Sequence, residues 1–171
     1  MSEAPVAWRR YCCRTSGVAS FPVRLVLLAR LSSTPVTPPA PVRSVLPRLG
    51  PYSRAIFEAI LLTGGSVGSE EIVAQRLGLR NRFELARLLQ RDGLPSLRRL
   101  ADWVTLLSWV KRAERQSTSL CRMAFTSGRH PSACYRLVRE LTGLRWTEVL
   151  AKGSKWVEGR LMGELGEPFG A

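Results

Sequence analysis

The stretch GRHPSACYRLVRELTG, residues 128–143, decides the fold. Pro131 suits the first turn of a helix, where its missing N–H would be unbonded anyway, and Gly143 is a natural terminator. Between them Cys134, Leu137, Val138 and Leu141 recur at spacings of three and four, which puts them on one face of a helix over 131–142. Ser132, Tyr135, Arg136 and Arg139 fall on the opposite face. A short apolar helix, about 118–125, precedes it across a break at Gly128.

The same order of elements occurs fifty residues upstream, counted from Gly78 to Gly128. Ser69 is placed to cap a short helix whose first turn holds Glu70 and Glu71, where the helix dipole favours negative charge. Ile72, Val73 and Leu77 are expected to line its buried side, and Gly78 to end it. The next helix, about Arg82–Arg91, turns Leu85, Leu88 and Leu89 to a core. Phe83, Ala86, Arg87 and Gln90 share its other side, and Gly93 and Pro95 stop it.

Working outward, the spacing predicts a long helix over about 96–114 with Leu97, Leu100, Trp103, Val104, Leu107 and Val110 buried. So wide an apolar surface implies packing against bodies at both ends. A further helix over 53–62 carries Ile56, Phe57, Ile60 and Leu61 on one face. Period-two alternation is scarce after Pro51, which argues for an all-α domain.

The runs IVAQRLGLRNRFELARLLQRDGLPSLRRLADW (72–103) and GRHPSACYRLVRELTGLRWTEV (128–149) resemble the DNA-binding domain of the AraC/XylS family. The resemblance covers about residues 51–157. It implies an all-α fold of two helix-turn-helix subdomains, homeodomain-like helical bundles joined by a long linker helix. The first unit would span about 53–93, the linker 96–114 and the second unit 117–157. Carried over by residue, it implies that Phe83, Ala86 and Arg87 in the first unit and Ser132, Tyr135 and Arg136 in the second face bases or their phosphates. Asn81, Arg82, Gln90, Arg91 and Arg139 would add contacts. Three departures stand out: Arg129 replaces an aromatic after the turn glycine, the second turn is one residue short, and the first recognition helix ends one residue early.

A linker of roughly 18 residues is about 27 Å long at ~1.5 Å per residue, near one DNA turn of ~34 Å. One monomer could then reach two successive major grooves. The implied function is sequence-specific binding of double-stranded DNA and transcription regulation by a bacterial, cytoplasmic, nucleoid-associated protein. It would act as a monomer or weak dimer, with RNA polymerase as a further candidate partner. No cofactor is implied. The alternative is a helical protein-interaction module with only non-specific DNA affinity.

Composition agrees with a polyanionic partner: 26 Lys plus Arg against 13 Asp plus Glu give +13, and all but Lys111, Lys152 and Lys155 of the cations are arginines. Residues 1–50 carry seven arginines against the single acid Glu3, with Pro35, Pro38, Pro39, Pro41 and Pro47 close together. They read as a disordered basic arm, with an organellar transit peptide or a secretory leader as weaker readings. Residues 1–48 are expected to be dispensable for folding, and 158–171 to form a flexible tail. The apolar run 23–31 is too short to span a bilayer.

Other chemistry finds little support. Cys121, His130 and Cys134 offer three zinc ligands at an unusual spacing, and buried apolar packing explains the cysteines better. Gly64, Ser66 and Gly68 match the G-x-S-x-G elbow of hydrolases, with His130 as its conceivable base, but that elbow needs a preceding strand. A turn between helices explains the glycines better, and His130 reads as a helix-start residue. Trp103, Trp109, Trp146 and Trp156 read as packing at helix junctions. No enzymatic activity is expected.

Overall fold

The computed structural model describes residues 45–166, so most of the arm expected over 1–50 lies outside the described residues. Those residues form seven α-helices and one 3₁₀ turn, Leu46–Arg48, with no strand among them. The helices are α1 (Pro51–Leu62), α2 (Glu70–Arg76), α3 (Arg82–Arg91), α4 (Leu97–Gln116), α5 (Leu120–Thr126), α6 (Pro131–Thr142) and α7 (Trp146–Glu164). None of the described helices is long and apolar enough to cross a membrane.

Local chemistry sets the helix starts. Ser69, Ser96 and Ser119 each accept a hydrogen bond from the backbone N–H three residues on, opening α2, α4 and α5. The Asn81 side chain accepts from the N–H groups of Phe83 and Glu84, both at 3.0 Å. His130 Nδ1 accepts from Ser132 N. Each such cap is worth about 1 kcal/mol. Gly78, Gly93, Gly128 and Gly143 all adopt positive φ where a helix has just ended, a backbone state that glycine enters without steric penalty.

α4 forms the axis of the core. All six residues expected to be buried on it are buried, and so are Ala101, Thr105, Leu106, Trp109 and Ala113. α1, α5, α6 and α7 all pack against it. Two helix pairs, α2 with α3 and α5 with α6, repeat the same short-helix, glycine-turn, longer-helix order. The second turn is one residue shorter, because the helix-start residue follows Gly78 by three positions and Gly128 by two.

Three sequence expectations are corrected. Residues 158–166 are not a flexible tail: α7 continues through Glu164 and buries Val157, Leu161 and Met162, with Leu165 just beyond it. The glycines at 153, 159 and 163 weaken the helical signal, but packing along α4 outweighs propensity. The arm does not extend to residue 50, since Val45 and Leu46 are buried in the same core. Deletion of 1–48 would therefore remove core side chains and is not expected to be neutral. Ile72 is 43% exposed, and Ala74 takes the inner position beside Val73.

α7 breaks at Gly153 (φ 79°), after which its second half runs back along α4 in the antiparallel sense. Glu114 accepts from Ser154 N at 2.6 Å, Lys111 pairs with Glu158 at 2.7 Å, and Arg99 meets Glu164 through two N–H groups at 2.9 and 2.7 Å. The Trp103 indole N–H and the Ser53 hydroxyl reach no partner within hydrogen-bonding geometry. Each nevertheless lies close enough to a carboxylate, Glu164 and Asp92 respectively, to help draw its pKa down.

Arg99 is the main cause that holds the Glu164 carboxyl below its ordinary value of 4.5. A depressed folded pKa gives stability that is present above the ordinary value and lost as pH falls through the lower one. The stability gap between the wild-type chain and Glu164→Gln is therefore expected to narrow as pH falls from about 7 to about 3, read by urea melts. A gap that does not change with pH would show that the pair contributes no titratable stability.

Candidate nucleic-acid interface

The outer faces of α3 and α6 are built by the same logic. In α3, Leu85 and Leu89 are buried, which turns Phe83, Ala86, Arg87 and Gln90 outward. In α6, Cys134, Val138 and Leu141 are buried, which turns Ser132, Tyr135, Arg136 and Arg139 outward. All eleven residues nominated from sequence, including Asn81, Arg82 and Arg91, are exposed. Phe83 is 61% exposed, and the Arg82 guanidinium stands 5.1 Å above its ring, so the first turn of α3 presents a cation on an aromatic.

Their freedom differs. Arg87 and Arg139 have no carboxylate partner among the described residues. Arg136 lies 3.7 Å from Glu140, but both side chains are more than two-thirds exposed, so the pair holds it weakly. Arg91 approaches Asp92 at 3.3 Å. The Asn81 carbonyl oxygen is committed to the start of α3, leaving its amide N–H groups to donate. The Ser132 hydroxyl lies 2.7 Å from His130 Nδ1.

Arg82 and Arg136 line one cleft of about 860 Å³, so the first turn of α3 and the middle of α6 flank a shared opening. Its floor is α4, through Leu97, Arg98, Ala101 and Asp102, and its sides include Val67, Glu70 and Glu71. Sequence reasoning missed two of its arginines, Arg98 and Arg129. Arg129 sits 5.8 Å over the Trp109 ring, which shows what occupies the position where the sequence departs from an aromatic. The signal available for Arg98 was its place one residue into α4, a turn that points away from the stripe of buried residues.

The cleft also holds Glu70, Glu71, Asp102 and Glu140. Burial pushes the Asp102 carboxyl up, against the downward pull of Arg98 and Arg129. Arg98 lies 3.9 Å from Asp102 and is itself largely exposed, so its charge remains available to a ligand.

The alternative chemistries do not assemble. No group of three or more His, Cys, Asp or Glu side chains able to hold a metal ion occurs among the described residues, so Cys121, His130 and Cys134 do not form the zinc site considered above. Residues 64–68 connect α1 to α2, with no strand before them, so the G-x-S-x-G run is a turn between helices. Trp103, Trp109 and Trp146 are buried and Trp156 is half-buried, in agreement with packing roles.

No family model, no curated protein and no solved structure matches this chain.

Proposed function

We propose that this protein binds double-stranded DNA through two helix-turn-helix units, α2–α3 and α5–α6, held apart by α4, and that it regulates transcription in the manner of the AraC/XylS family. The observation that carries this reading is the repeated outer face. Two amphipathic helices, each following a glycine turn, expose an aromatic and at least one arginine, and an arginine from each lines the same cleft. Arginine suits the purpose because its planar fork matches both phosphate oxygens and the O6/N7 edge of guanine. At 20 residues α4 is about 30 Å long at ~1.5 Å per residue, long enough to carry both units on one rigid element. The reading assigns no catalytic chemistry, and it leaves RNA polymerase as a candidate partner.

Glu70, Glu71, Asp102 and Glu140, which line the cleft, favour a second reading, a helical protein-interaction module with only non-specific DNA affinity. Fluorescence anisotropy of the full chain against selected and random duplexes, across a salt series, separates the two. The DNA reading expects a preference of ~10³-fold or more with affinity falling steeply in salt. Weak binding without sequence preference would overturn it in favour of the interaction module.

Arg136→Ala is expected to weaken specific binding by ~1 to 3 kcal/mol if the guanidinium reads a base edge. Equal losses on specific and random duplexes would reduce Arg136 to a phosphate contact.

A further inference from the structure

α7 has two faces of unlike charge. Every glutamate of α7 is already engaged: Glu148 accepts from Arg145 N, Glu158 pairs with Lys111, and Glu164 with Arg99. The last two point inward to α4. Its cations do the opposite: Lys152, Lys155 and Arg160 are all exposed. Lys152 and Arg160 flank Trp156, four residues to either side, with their charged groups 5.4 and 5.9 Å from its ring. The result is a half-buried indole flanked by Lys152 and Arg160, with Lys155 exposed one residue before it; Arg160 is also near enough to Glu164 to help hold that carboxyl down.

This surface faces away from the cleft. At about 100° per residue, the α4 positions that line the cleft, Leu97, Arg98, Ala101 and Asp102, lie opposite those that engage α7, Arg99, Lys111 and Glu114. A duplex lying across α3 and α6 would therefore leave the outside of α7 open.

We propose that Lys152, Lys155, Trp156 and Arg160 form a docking surface for an acidic, partly apolar protein segment. Charge complementarity selects an anionic partner. The indole selects among anions, because its apolar ring gives a peptide side chain something to cover. The outer surface of a duplex offers only sugar and phosphate there. Trp and Arg together are also the residue types that dominate binding energy at protein interfaces. The proposal rests on the DNA reading only for the naming of the opposite side as the DNA side.

The test uses the full chain and a fluorescein-labelled peptide alternating Asp or Glu with Leu and Phe, beside a control in which Asn and Gln replace the acids. The acidic peptide is expected to bind and the neutral one not. Lys152→Gln, Lys155→Gln and Arg160→Gln together should weaken the acidic peptide by about tenfold or more while leaving duplex affinity within about twofold. Trp156→Phe should retain folding and lose part of the peptide affinity. Unchanged peptide affinity in the triple variant overturns the proposal, as does competitive displacement of the peptide by a duplex. A chain that binds the peptide but no duplex would remove the DNA reading and leave this surface standing.

Discussion

A chain ending at Lys152 is expected to lose cooperative unfolding. The truncation removes Val157, Leu161, Met162 and Leu165, each at most 8% exposed in the folded chain. Burying one such side chain contributes about 1.5–3 kcal/mol, so the four together approach ~6–12 kcal/mol. The whole stability of an ordinary domain is about 5–15 kcal/mol. The same cut uncovers the flank of α4 that carries Arg99, Trp103 and Lys111 and leaves three polar links to α7 without partners. Urea denaturation followed by circular dichroism should show a broad, early transition in place of a single steep one. A truncated chain that melts at the full-length midpoint would show α7 to be peripheral after Gly153.

The second large effect is expected at Gly65, in the turn joining α1 to α2. Its φ is 93°, a conformation that L side chains rarely adopt. A Cβ there would meet the Thr105 hydroxyl and the backbone carbonyl oxygen of Ala101, both on α4. The hydroxyl can turn away, but the carbonyl belongs to a helix held on several sides. Backbone strain of about 1–3 kcal/mol and overpacking of another ~1–3 kcal/mol add in the same direction. Gly65→Ala should therefore be among the most destabilising alanine substitutions in this turn. Gly68→Ala is the control: its φ is 84°, but no atom lies within 4 Å of the added carbon, so only the strain remains. Equal melting temperatures for the two variants would disprove the close approach of the turn to α4.

The two glycines also show how motif reading and packing part company. The pattern G-x-S-x-G drew attention to Gly64, Ser66 and Gly68, yet the glycine with no room for a side chain is Gly65, which the pattern leaves as a free position. A turn that presses against a helix needs small residues where the two touch. That point of contact is set by the packing of α1 on α4.

Much of the architecture was legible because helix starts, stops and faces are local properties. The bounds of α3 and α6 follow from Asn81, Pro131, Gly93 and Gly143, and the exposed sides of both helices follow from the three-and-four spacing of their apolar residues. The eleven nominated residues are exposed for that reason. Ile72 shows the limit: periodicity in a seven-residue helix leaves its buried direction ambiguous by about one position, and Ala74 occupies the inner place.

By itself, then, the sequence determined an all-α fold over the described residues from Pro51, the caps and glycine stops of its helices, and which side of α3 and α6 carries arginine. The tertiary structure alone decided that Arg82, Arg98, Arg129 and Arg136 share a cleft, that Val45 and Leu46 belong to the core, and that α7 doubles back along α4 with its acids inward and its cations outward. The division has one physical cause. Hydrogen bonds and periodicity act within a few residues and are written locally, whereas contacts such as Arg99 with Glu164 join positions 65 apart and exist only once the chain has packed.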